Sequence, residues 1–463
     1  MVFSSLEFIF RFLPLFLIIY YIVPKKFQNA VLLTGSLCFY AWGDLKNLVF
    51  LLISVFINFI AVKRMKRENC NSKPWLITAL LFNIGMLFFF KYINFAIDNI
   101  NVILAGINGK QIAELTWGLP LGISFYTFQA ISYVIDFYRK DIEDDPDLFH
   151  FATYLIMFPK LVSGPITSYK EIGNQLKNRN CSVTKFEKGL KLFVIGLGLK
   201  VILANRLGIL WNNIQTIGFE SISTPLAWLG SIGYSLQLYL DFQGYSLMAI
   251  GAGQMLGFHL PDNFRHPYMS KSMTEFWRRW HITLGLWFRN YVYIPLGGNR
   301  KGKKRLVFKL LIVWLLTGLW HGASWNYVLW GLVLFVLILF EKLYFKKILD
   351  RSVIIARIYM LLAIPLTWIL FAIHSLKDVL IYYGRMFGIV QGINVNNGDF
   401  IKYFSQYKWL LFTGIFLCFP YGKRLFKKLE NNILCTIFLL LVFWYSVYLL
   451  SNGLNNPFLY FQF

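Results

Sequence analysis

The sequence predicts an all-α, polytopic membrane protein of about twelve transmembrane helices, with additional re-entrant or interfacial helices. Three observations carry that reading. Hydrophobic residues make up 57% of the 463 positions and charged residues only 15%, with a mean hydropathy of +0.54, whereas a soluble domain carries roughly 25% charged residues. Apolar runs approaching the ~20 residues that cross a bilayer recur along the whole chain. The basic residues behind the net charge of +24 fall in short clusters between those runs, as in cytoplasmic loops facing anionic lipid. No basic stripe lies on a soluble domain, so nucleic acid is not an expected partner.

The first apolar run, Leu6–Val23, has no positive segment ahead of it, contains Arg11 and is followed by no small-residue cleavage site. It reads as a retained spanning helix and not as a signal peptide. Further spans are expected at Ala30–Trp42, Asn47–Val62, Trp75–Phe95, Gly118–Tyr138, Leu190–Trp211 and Leu226–Leu256. The remainder are Leu306–Trp320, Trp325–Phe340, Ile358–Ile373, Trp409–Pro420 and Ile433–Ser451. Several are short, so tilt, bilayer thinning or mutual burial must compensate. Leu148–Ile166 holds Pro159, Lys160, Gly164 and Pro165, which break a helix, and is expected to be re-entrant or interfacial.

Basic clusters orient these spans. Pro24–Lys26, Lys63–Arg67, Arg139-Lys140, Lys170–Lys191, Arg300–Arg305, Lys342–Arg357 and Lys423–Lys428 are all expected on the cytoplasmic side. Threading alternate spans through them leaves both termini, including a tail at 452–463, outside. Leu306–Trp320 and Trp325–Phe340 are flanked by positive charge at both ends, which makes them a hairpin entering from the cytoplasm with His321 at its tip. Each helix is roughly 22–24 Å long at 1.5 Å per residue, short of a full crossing. Between Phe258 and Arg305 the chain is too polar to span. Arg265, His266, Arg278, Arg279, His281 and Arg289 alternate there with Phe and Trp rings, the pattern of a re-entrant or interfacial helix with rings at headgroup depth.

Ionisable groups inside such a chain are the candidate functional residues, because placing one in lipid costs roughly 2.5–3.5 kcal/mol on insertion scales. His321 stands in Trp320-His321-Gly322 at the end of an apolar run, and the small residues Gly322-Ala323-Ser324 leave room for a substrate against the ring. A neutral imidazole there suits proton abstraction from a hydroxyl or thiol; the structural alternative is a histidine capping a helix end. His281 lies at helical spacing from Trp277 and Arg278, with a headgroup-facing ring as its alternative. Asp241 and Gln243 put polar atoms inside one apolar span, and Asp241 needs a cationic partner, expected from the 258–305 region. Asp241, Gln243, Trp320, Arg278 and Arg279 are the candidate substrate-binding residues.

Other chemistries find no support. Gly297–Lys303 formally fits GxxxxGK, but Lys304 replaces the Ser or Thr that would hold magnesium and no strand precedes it. HExxH and GxSxG are absent. The five cysteines are scattered without metal spacing, and no metal is expected.

Taken together, Leu119–Phe128, Phe158–Pro165, Tyr239–Ser246, Phe276–His281, Tyr293–Asn299 and Leu319–Gly322 resemble the membrane-bound O-acyltransferase superfamily. The likeness is to the branch of alginate O-acetylases and teichoic-acid D-alanyl transferases, and it covers nearly the whole chain as a single domain, 1–463. It implies that His321 corresponds to the family's catalytic histidine and His281 to its second histidine. It also implies a central thinned funnel between a cytoplasmic thioester donor, acyl-CoA or an acyl carrier protein, and an outside acceptor. The ending Phe458–Phe463 is similar to the FxYxxF motif of a small partner peptide of the D-alanyl transferases, which implies a role for the Tyr460 hydroxyl in carrying the acyl group. An aromatic membrane anchor is the alternative. The alginate-type branch often has Arg after the Phe of Trp368–Phe371, where this chain has Ala372, which argues against alginate specifically.

The expected function is therefore transfer of an acetyl or other short acyl group to a cell-surface polysaccharide or cell-wall polymer by a multi-pass protein of the bacterial cytoplasmic membrane. No permanently bound cofactor is expected. Expected partners are lipid, the acyl donor, the polymer and a secreted or tethered hydrolase-like protein. A transporter or flippase for a lipid-linked glycan, with the histidines as a proton relay, is the alternative.

Overall fold

The structure is a computed structural model that describes residues 2–67, 71–298, 302–453 and 459. Among these residues every regular element is a helix. Among the described residues six helices are long and apolar enough to cross a membrane: Leu48–Met65, Ser72–Gly106, Val183–Ile217, Trp325–Arg351, Val353–Ala372 and Ile433–Ser451. Each covers an expected span to within a residue, and three of them include a π-helical turn, at Phe88–Tyr92, Leu199–Ala204 and Glu341–Phe345, the last carrying its helix past the expected end at Phe340. The other expected spans are also helical, including the shorter Gln28–Asp44 and Ile123–Tyr138 and the 32-residue Thr224–Met255. A helix at Leu376–Met386 was not anticipated.

The chain forms two compact units. Met1–Leu190 with Ala249–Pro261 makes the first, and Lys191–Met248 with Asp262–Phe463 the second.

In the first unit, Ile123–Tyr138 is buried along nearly its whole length. Leu48–Met65 and Ser72–Leu87 are joined by a reciprocal amide pair. Asn58 Nδ2 donates to Asn83 Oδ1 at 3.2 Å and Asn83 Nδ2 to Asn58 Oδ1 at 2.6 Å, both side chains fully buried. Such pairs satisfy polar groups where lipid offers no partner. The proline-bearing stretch does break, into Leu148–Ile156 and Phe158–Leu161, with Met157 between them leaving helical geometry (φ −51°, ψ 119°). Its residues Phe158–Leu161 are all buried. Phe158 is packed by the rings of Phe12, Phe16 and Phe39 at 5.2–5.7 Å. Lys160 is wholly buried, donating to Gln129 Oε1 with its ammonium 3.5 Å from the Tyr154 ring centre.

In the second unit, Lys303–His321 and Trp325–Phe340 form the expected hairpin. Glycines let its backbones touch: a Cβ on Gly318 would lie 2.4 Å from the Tyr327 carbonyl oxygen, and one on Gly331 2.4 Å from that of Trp314. Trp325–Phe340 packs in turn on Val353–Ala372. Two seven-residue helices, Met273–Arg279 and Ile282–Phe288, lie at the centre of the polar, aromatic region. The first is capped from afar by buried Glu341, whose carboxylate accepts the Met273 and Thr274 N–H groups, the latter at 3.0 Å. Rings of this region pack into a core. Phe276 and Trp280 are each 1% exposed, and Trp277 meets Trp314, Trp330 and Trp368 at 5.2–6.0 Å.

Candidate active site

His321 is the last residue of its helix, followed by Gly322 in extended conformation (φ −175°, ψ 156°). The turn is tight, since a Cβ on Gly322 would come within 2.2 Å of the Tyr327 ring. The His321 side chain is 3% exposed and is enclosed edge-on by Trp320, Trp330 and Phe371, with ring centres 5.0, 5.0 and 5.3 Å away. The imidazole is thus held in an aromatic cage at a helix end.

His281 occupies the joint between the two short helices in the left-handed region (φ 43°, ψ 55°). A non-glycine residue pays roughly 1–2 kcal/mol for that conformation, so neighbouring bonds must hold it. Asn263 does so: its carbonyl accepts the Ile282 N–H at 2.9 Å and its Oδ1 accepts the Thr283 hydroxyl at 2.7 Å, while the Arg265 N–H bonds to the Arg279 carbonyl at 3.0 Å. The sequence puts His281 at helical spacing from Trp277, as a second functional histidine with a headgroup-facing ring as its alternative. Instead the helix ends at Arg279, and the His281 side chain is 2% exposed, packed edge-on against Phe242 at 4.7 Å and Trp320 at 5.8 Å. Trp320 therefore touches both histidines and joins them into one site.

Asp241 is buried as expected, but its partner comes from elsewhere. Lys200 Nζ lies 2.5 Å from Asp241 Oδ1, both side chains 2% exposed. Lys200 belongs to the π-turn Leu199–Ala204. It reaches Asp241 because the two helices cross at glycine: a Cβ on Gly196 would lie 2.4 Å from the Gly244 carbonyl oxygen, and one on Gly244 3.0 Å from the Lys200 nitrogen. Beside the pair is a cavity of about 210 Å³ with Asn205, Trp211, Tyr234, Gln237 and His374 in its wall. Ala372 also lines it, directly after the Phe371 that covers His321, so cavity and cage share a wall.

The remaining candidates sit apart. Gln243 is half-buried and away from this cavity. Arg278 is exposed, and Arg279 is paired with Glu275 at 2.5 Å on the same short helix. Tyr460 lies outside the described residues. Lys200 and His374 were missed; a lysine inside the apolar run Leu190–Trp211 was the available signal for the first. Among the described residues no three His, Cys, Asp or Glu side chains gather as a metal site would require.

The chain belongs to the membrane-bound O-acyltransferase family, whose signature matches residues 123–384 and so encloses both histidines, Asp241 and Lys200. It is 42% identical over 328 residues to a protein of Pseudomonas syringae pv. tomato named probable alginate O-acetylase AlgI, covering 70% of this chain and 63% of that one. The chain thus spans just under two thirds of that relative's length. A peptidoglycan O-acetyltransferase of Helicobacter pylori is 36% identical over 362 residues, covering 70% of this chain and 67% of its own. A teichoic acid D-alanyltransferase of Bacillus subtilis is 29% identical over 218 residues, 44% of this chain and 54% of its own.

Proposed function

We propose that this protein is an O-acyltransferase of the bacterial cytoplasmic membrane that moves an acetyl or other short acyl group from a cytoplasmic thioester to a cell-surface polymer. Relatives named for acylating alginate, peptidoglycan and teichoic acid support the class of acceptor. The observation that carries the chemistry is His321, an imidazole buried in an aromatic cage and tied through Trp320 to a second histidine.

In the proposed reaction the Tyr460 hydroxyl attacks the thioester carbonyl while His321 takes its proton. The C–S bond breaks, and the proton returns to the leaving thiolate. The resulting acyl-tyrosine ester is then attacked by a polymer hydroxyl, which keeps the acyl group and restores the tyrosine, with a hydrolase-like partner outside the membrane assisting. General-base help of this kind is worth typically 10²–10⁴-fold, and holding donor and acceptor together supplies much of the rest. The aromatic walls exclude water that would otherwise hydrolyse the ester.

Tyr460→Phe tests the carrier step, because it keeps the ring and removes only the hydroxyl. Acylation of the surface polymer, measured in cells that lack the native protein and express the variant, should disappear while the protein remains inserted. Full acylation would reduce the tail to a membrane anchor.

A further inference from the structure

Leu459, beyond the last helix, donates its backbone N–H to Asp241 Oδ2 at 2.9 Å, across 218 positions of sequence. The other carboxylate oxygen takes the Lys200 ammonium at 2.5 Å. One buried carboxylate therefore bridges the π-turn Leu199–Ala204 and Leu459. We infer that the Lys200–Asp241 pair is the receptor that seats the 452–463 tail in the second unit. For its consequence, though not for the docking itself, this rests on the acyl-carrier reading above.

The energetics favour a receptor over a structural tie. Removing an ion pair from water costs several kcal/mol per ion, and packed apolar side chains often hold helices together as well or better. Gly196 and Gly244 already bring these two helices into backbone contact, so the pair is not needed to join them. What an apolar pair would lack is an acceptor for a main-chain N–H. Lys200 supplies the opposite charge at 2.5 Å, and hydrogen bonds to an acceptor in an ion pair are roughly twice as strong as neutral ones. Because the donor is backbone, the carboxylate fixes the position of the tail without demanding a particular side chain at 459.

The cavity beside the pair agrees with this. Leu459 lines it, and so does Gln237, which is 8% exposed and whose Oε1 accepts no hydrogen bond from the described residues. Lys200 and Asp241 are positioning residues in this account, since neither needs to touch the acyl group.

The test uses the purified full chain in detergent micelles, with the native cysteines replaced, Leu459→Cys as the probe and maleimide-polyethylene glycol as the reagent. Leu459→Cys preserves the N–H and so preserves docking. With Asp241→Leu the labelling rate should rise at least ~10-fold, the size expected when a hydrogen bond to a charged group is lost. Asp241→Asn, which keeps an acceptor oxygen, should raise it less. If Asp241→Leu fails to fold, Lys200→Met with Asp241→Leu replaces the ion pair by an apolar pair and should give the same rise in a folded protein. An unchanged rate in that folded double variant overturns the proposal. The measurement is repeated with Tyr460→Phe added. Equal rates there uphold docking even if the hydroxyl proves dispensable, so the two readings can fail separately.

Discussion

Gly318 and Gly331 face each other across the hairpin that carries His321, close enough that a Cβ on Gly331 would lie 3.3 Å from the Gly318 Cα. The backbones around them are closer still, with each new Cβ 2.4 Å from an opposing carbonyl oxygen. Backbone atoms cannot yield as a flexible side chain can. Gly318→Ala and Gly331→Ala should each lower stability by about 1–3 kcal/mol, the usual cost of overpacking, read as a drop in melting temperature in detergent. Unchanged melting would show that the helices part without cost.

The conformation of His281 separates its backbone role from its chemistry. Asn tolerates the left-handed region, while Ala does so poorly. His281→Asn should therefore melt closer to the wild type than His281→Ala, yet both should lose most acyl transfer if the imidazole is required. Wild-type transfer by His281→Asn would make the residue a structural joint.

Much of this arrangement was legible beforehand because it is local. Charge on both flanks of two short apolar runs gave the hairpin, and Trp320-His321-Gly322 marked its end, since an interrupted run followed by small residues has few other readings. The partner of Asp241 was not legible. Lys200 is 41 positions away in sequence, and only the Gly196–Gly244 crossing brings it near. The region around His281 misled for a different reason. Aromatic and basic residues alternate in the same way whether the rings sit among headgroups or pack on Trp330 and Trp368, and a left-handed residue breaks the helical register that sequence spacing assumes.

Orientation is testable without reference to chemistry. Single cysteines placed within 64–67 or within 423–428, in a background lacking the native cysteines, should resist impermeant thiol reagents in intact cells, while one at position 455 should label. Labelling of the basic segments from outside would invert the threading and with it the route from donor to acceptor.

The most direct measurement is transfer of a labelled acetyl group from a thioester donor to the surface polymer by membranes containing the wild type or His321→Ala. A group that accepts a proton in the transition state contributes to rate far more than to folding. His321→Ala should fall by at least ~10²-fold in transfer while its expression and melting temperature stay near wild type. Transfer close to the wild-type rate by a folded His321→Ala protein would contradict the account.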